Sequence, residues 1–160
     1  MSKSVLLVIF VLLLEACATK IETKQALDVG MRESLVITDV AVNALPEAGA
    51  KPILLTNLRN AVLIELGAVK TQGNIGRLEL MVTKAQLVST ARRAFIGFLA
   101  GFDILYVTAT IKDGKSLAVI AEFEIKGEYN PGGLGMFTNP KIYTVKRVAE
   151  ALVEVIYQIK

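Results

Sequence analysis

Apolar residues run unbroken from Val5 to Leu14, and after that many of them recur in alternation or at helical spacing. Ser34 to Val42 is rich in β-branched residues and apolar on both alternate sets in its first half, which predicts an interior strand closed by Asn43-Ala-Leu-Pro46. Leu55, Leu58, Val62 and Leu66 then fall near a 3.6-residue period behind Pro52, which predicts a helix over 52–66 capped by Gly67. From Gly76 to Val88 the pattern alternates, with Leu78, Leu80 and Val82 on one side. Lys84 breaks it and Leu87 resumes it on the other set, so a strand with a bulge near Lys84 or Ala85 is expected.

Two further alternating runs flank Lys112-Asp113-Gly114. Leu105, Val107, Ala109 and Ile111 share one face of the first, and Leu117, Val119, Ala121 and Phe123 share one face of the second. A one-residue slip in a hairpin moves every side chain to the other face, so the apolar pattern selects a three-residue loop over a two-residue one. That loop pairs Ala109 with Leu117, Val107 with Val119 and Leu105 with Ala121, with Gly114 in the left-handed position. Gly127 to Pro140 reads as loop. Asn139-Pro140 opens a last helix whose stripe is Val145, Val148, Leu152, Val155 and Ile159, with Arg147, Glu150 and Glu154 off it. The order β-α-β-β-β-α predicts an α+β two-layer sandwich, a mixed or antiparallel sheet with two helices on one face.

The amino-terminal run is ten residues long, about half of what a membrane span requires. Behind the basic start Met1-Ser-Lys3 it has the outline of a secretion signal. Its end, Leu14-Glu15-Ala16-Cys17, resembles the bacterial lipoprotein signal, departing from it at Glu15, where a small or apolar residue is usual. The resemblance implies cleavage before Cys17, a diacylglycerol on its thiol and a fatty acyl group such as palmitate on its new amino group. The alternative is an ordinary secreted chain cut elsewhere, with Cys17 incidental. Residues 1–16 thus read as signal peptide, 17–33 as a lipidated tether and 34–160 as a single α+β domain. The tether is polar and without period, and from Ala18 to Glu33 it would reach roughly 50 Å when extended.

Composition narrows the chemistry. The chain has 160 residues, a net charge of +3, one cysteine and no histidine. An intramolecular disulfide, Ser-His-Asp and Cys-His catalysis and imidazole metal sites are thereby excluded. Lys and Arg are scattered apart from Arg92-Arg93, which makes nucleic acid a poor partner. Glu122 and Glu124 share a strand face and have the spacing of an acid/base pair, but a solvated face accounts for them. Gly132-Gly-Leu-Gly135 lacks the remaining residues of a phosphate loop. No catalytic residue, metal or cofactor is expected beyond the lipid on Cys17.

Two apolar loops remain. In the first, Arg92 and Arg93 precede Phe95, Phe98 and Phe102, with Gly97 and Gly101 between; in the second stand Met136 and Phe137. If exposed, they mark a contact with a partner or a membrane; if buried, the first is a crossover filling the sheet edge.

The connection Arg92-Arg93…Gly97…Gly101, then Asp113-Gly114, "LAVIAEFEIKG" and a closing amphipathic helix resemble a group of small bacterial lipoproteins that share a domain of unknown function. A more distant likeness is to the α/β domain of curli-secretion lipoproteins and the amino-terminal domain of the Tol-system translocation protein. These likenesses imply a compact domain used in periplasmic assemblies and transfer no catalytic residue. Ala18, rather than Asp, after the cysteine implies the outer membrane, facing the periplasm. The expected function is non-catalytic: a membrane-anchored lipoprotein whose domain binds an envelope protein or its own copies. The alternative is a carrier or sensor of a small or lipidic ligand held between sheet and helices.

Overall fold

The computed structural model describes residues 19–69, 73–96, 101–130 and 140–158. Strand β1 (Thr19–Gln25) and a short helix α1 (Val29–Ser34) lead into β2 (Leu35–Ala44), a 3-10 turn (Pro46–Ala48) and helix α2 (Pro52–Gly67). Strand β3 (Asn74–Gln86), the short helix α3 (Thr90–Ile96), the strands β4 (Asp103–Asp113) and β5 (Val119–Tyr129), and helix α4 (Pro140–Tyr157) follow. The sheet order is β1-β5-β4-β3-β2. β2 and β3 are parallel, joined by α2 as the crossover, and the other three pairs are antiparallel. The α+β two-layer sandwich with a mixed sheet is therefore the fold.

Both long helices lie on one face. α2 packs against α4 and β2, and α4 against β5 and β4. α2 turns Leu54, Leu58, Val62 and Leu66 inward, a strict i+4 ladder. α4 buries Val145, Val148, Ala149, Leu152, Val153 and Ile156. They meet Leu78, Leu80, Val82, Leu105, Val107, Ala109, Ile111, Ala121, Phe123 and Ile125 from three strands, all out of solvent. Each large side chain in this layer contributes roughly 1.5–3 kcal/mol relative to exposure. Gly127 permits the closest approach of the layers: a Cβ there would lie 2.4 Å from Val148 Cγ2 and 3.4 Å from the Thr144 carbonyl.

Two of these expectations need substantial correction. The polar segment assigned to a tether is folded: Thr19–Gln25 forms edge strand β1, paired along β5 from Thr19 opposite Gly127 to Gln25 opposite Glu122. Six of its seven residues are exposed, so the ladder of backbone hydrogen bonds, rather than burial, holds it. Leu27 then enters the core, and Asp28 caps α1 by accepting from the Gly30 and Met31 amides. The folded unit thus starts well before residue 34.

The β4–β5 hairpin has a longer loop than expected. Ala109 faces Phe123, Val107 faces Ile125 and Leu105 faces Gly127. Each partner lies six residues beyond the expected one, an even offset that leaves both apolar faces intact. The cause is Asp113, whose Oδ1 accepts from the Lys115 amide (3.0 Å), the Ser116 amide (2.7 Å) and the Ser116 hydroxyl (2.8 Å). These bonds hold its carboxyl below the usual carboxylate range, the Ser116 amide contributing most. The left-handed residue is Leu117 (φ 60°), not Gly114. Gly114 instead donates its amide to the Ile75 carbonyl of β3 (2.9 Å), an approach that a Cβ would block at 2.7 Å.

In the remaining elements the differences are small. α2 runs through Gly67 and buries Leu54 rather than Leu55, and the irregularity in β3 lies between Val82 and Lys84. In α4, Val145, Val148 and Leu152 are buried as the stripe predicts. Val155 is half-buried, Ile156 takes its place in the core, and Ile159 lies outside the described residues.

Candidate functional site

Register fixes which strand ends are neighbours. Thr19 lies opposite Gly127, Asp103 opposite Tyr129, and Gln86 opposite Ile104. The start of β1, the end of β5, the start of β4 and the end of β3 therefore share one end of the sheet. Both apolar loops singled out in the sequence leave from this end, and Thr19 stands two residues after Cys17.

The connection from β3 to β4 is stapled at its base. Asp103 is fully buried, and its Oδ1 accepts the Val88 amide at 2.6 Å, tying the exit from β3 to the entry of β4. Above this staple the Ser89 hydroxyl accepts the Arg92 amide (3.2 Å) at the first turn of α3. α3 carries Arg92 on the surface, Phe95 at 92% exposure and Ile96 at 45%; Phe102, beyond it, is 41% exposed. The described part of this loop is thus an exposed apolar patch, and the reading as a buried crossover does not hold for Phe95. Arg92, Phe95 and Phe102 are brought to one end of the molecule. The Arg93 side chain, Phe98, Met136, Phe137 and Cys17 lie outside the described residues, as does Gly132-Gly-Leu-Gly135.

Helix α4 begins at the same end. Tyr143 stacks on Tyr129 with ring centroids 5.2 Å apart, and the Arg147 guanidinium lies 6.0 Å from the Tyr129 ring. Tyr143 keeps 45% exposure. This aromatic pair was not read from the sequence, because its members sit fourteen positions apart across a loop.

Glu122 and Glu124 belong elsewhere, on the sheet face opposite α2 and α4. There Lys24 bonds Glu22 (2.5 Å) and approaches Glu124 (3.4 Å), while Lys112 pairs with Glu79 (2.7 Å) and Arg77 with Asp39 (2.9 Å). Lys126 pairs with Glu128 and lies over the Tyr106 ring at 5.5 Å. The Glu22 hydrogen bond, then Glu124, holds the Lys24 amine above its ordinary value. The strand face of Glu122 and Glu124 is thus a lattice of exposed ion pairs, worth little each in stability. Among the described residues, no three acidic, cysteine or histidine side chains cluster as metal ligands, and no helix is long and apolar enough to cross a membrane.

No protein-family model and no curated protein matches the chain. Solved structures do show a similar chain path. Two structures of the PelC dodecamer from Paraburkholderia phytofirmans are 11% and 10% identical, cover 89% of this chain and 99% of their own, and give a TM-score of 0.48. A "putative lipoprotein" from Caulobacter crescentus CB15 is 14% identical over 81% of this chain and 94% of its own, with a TM-score of 0.48. At such identities these likenesses are of fold alone, and the argument for function stays with this chain's own residues.

Proposed function

We propose that this chain is a non-catalytic lipoprotein, anchored by acyl chains on Cys17 in the periplasmic leaflet of the outer membrane, whose domain mediates protein–protein assembly in the cell envelope. The observation that carries the reading is Leu14-Glu15-Ala16-Cys17, a lipoprotein-type signal ending on the sole cysteine, directly ahead of the folded unit at Thr19. Ala18 after the cysteine supports the outer membrane.

For a protein partner, the outer side of the helical layer offers a shallow groove of about 250 Å³ between α2 and α4, floored by Ala61 and flanked by Ile64 and Ile142. Ile64 is 72% exposed, in a place where a helix normally presents polar residues. Leu58, Leu78, Leu80, Leu105, Leu152 and Ile156 are fully buried between sheet and helices, which favours the assembly reading over a carrier of a ligand held there.

Metabolic labelling with a fatty-acid analogue tests the anchor: the parent chain takes label and Cys17→Ala does not, whereas equal label in both refutes it. A photocrosslinker placed at Ile64 in living cells tests the assembly role. A discrete envelope-protein or self adduct, lost in Ile142→Asp at unchanged melting temperature, is expected; no adduct, together with a monomer at high concentration, overturns it.

A further inference from the structure

We propose that the end of the sheet carrying α3 rests on the bilayer that holds the Cys17 acyl chains, with Phe95 and Ile96 in the boundary between headgroups and acyl chains and Arg92 among the lipid phosphates. The inference rests on the anchoring reading and deepens it, turning a domain on a leash into one with a fixed orientation.

The decisive quantity is the length of chain between anchor and fold. A lipidated tether running to residue 33 would let the domain stand tens of ångströms off the surface, in any orientation. With Thr19 locked opposite Gly127, only Ala18 and one peptide link on either side of it separate Cys17 from the sheet. That span is at most about 7 Å. A lipid moiety seated in the leaflet therefore holds the start of β1 within about one headgroup layer of it. Whatever else projects from that sheet end meets the same surface.

What projects there has the composition of an interfacial contact. Phe95, at 92% exposure, is the most exposed of the large apolar side chains among the described residues, and it shares α3 with Ile96 and Arg92. Tyr143, whose ring has a polar tip, stands at the same end beside Arg147. An aromatic at the headgroup level with cationic side chains beside it is the arrangement that membrane–water interfaces favour. The acyl chains on Cys17 supply the binding itself, so an apolar and cationic contact next to the anchor sets the orientation of the domain rather than its affinity. The Asp103–Val88 staple fixes the base of the α3 loop on the sheet, so the contact reports the tilt of the whole domain.

The test uses the full chain, processed and lipidated, reconstituted in phosphatidylethanolamine–phosphatidylglycerol vesicles. Acylation blocks the thiol of Cys17, so Phe95→Cys presents a single site for an environment-sensitive thiol dye. Val29→Cys, exposed on α1 at the opposite end of the sheet, is the control. Quenching by lipids brominated on their acyl chains is expected to be severalfold stronger at position 95 than at position 29, with blue-shifted emission at 95 alone. Ile96→Cys gives the same answer should Phe95→Cys fold poorly, and added Arg92→Glu weakens the quenching. Equal quenching at the two ends of a chain that floats with the vesicles overturns the orientation and leaves the anchor standing. A blue shift at 95 that grows with protein density, without lipid quenching, assigns the patch to a second copy and overturns it as well. A chain with unmodified Cys17 that fails to float removes the anchoring reading and this inference with it.

Discussion

On the helix-covered face of β3 and β4, Leu78, Leu80, Val107 and Ile111 are out of solvent, pressed between strands and helices. One residue along each strand, the opposite face carries Glu79, Thr108, Thr110 and Lys112, and there the Lys112–Glu79 ion pair stays in contact with water. The same backbone ladder serves both. The difference separates what makes the sheet stable from what makes it soluble: burial acts on one side, and charge pairing on the other is nearly neutral in energy. Glu122 and Glu124 of β5 lie on this same polar face.

Substitutions of graded effect test the contrast. Leu80→Ala is expected to cost about 2–5 kcal/mol in urea unfolding, because the covered face cannot close over the void; a loss near that of a surface substitution would show the layer to be loosely packed. Gly127→Ala is expected to cost about 1–3 kcal/mol, since its methyl group meets Val148 and the Thr144 carbonyl, and a wild-type midpoint would mean that α4 can lift away freely. Asp103→Ala leaves the Val88 amide buried without its acceptor, for about 1–3 kcal/mol and faster hydrogen exchange at that amide. On the opposite face Lys112→Ala should change stability by less than about 1 kcal/mol, shrinking further in high salt; a larger loss would break the contrast.

The smallest effect is a pH dependence at the hairpin. The Asp113 carboxyl sits below its usual value of 3.8 in the fold, so its contribution is complete above that value and disappears as pH falls through the lower, folded one. Protection of the Ser116 amide, measured against its intrinsic exchange rate, should fall over that acid range in the parent chain, and Asp113→Asn should flatten the profile. An unchanged profile would mean that the backbone bonds of the turn hold it alone.

The covered face is also what the sequence reveals best. Alternation in β3, β4 and β5 and the i+4 stripes of α2 and α4 are consequences of one-sided burial, so the two layers follow from local pattern, while the choice between a mixed and an antiparallel sheet does not. β1 is illegible for the same reason: with exposed side chains on both sides it has no apolar period. Only the β-branched alternation Thr19, Ile21, Thr23 hinted at it, and its partner lies about a hundred residues away. The hairpin was legible in parity and not in offset. Apolar matching fixes faces, while Asp113's caps and the bond of Gly114 to a third strand fix the pairing. At the candidate site, the grouping of Arg92, Phe95 and Phe102 can be read from sequence. That they share a sheet end with Thr19 and the Tyr129–Tyr143 stack depends on strand order, which no local pattern encodes.

The position of β1 at the sheet edge also imposes a timetable. The segment emerges first during synthesis, yet its strand partner among the described residues, β5, arrives some hundred residues later, so β1 must wait unpaired while the rest of the domain condenses. Its polarity suits the wait: Lys20, Glu22 and Lys24 make a poor template for stray strands. Closure of β1 onto β5 ends the interval and lays the edge of the sheet last.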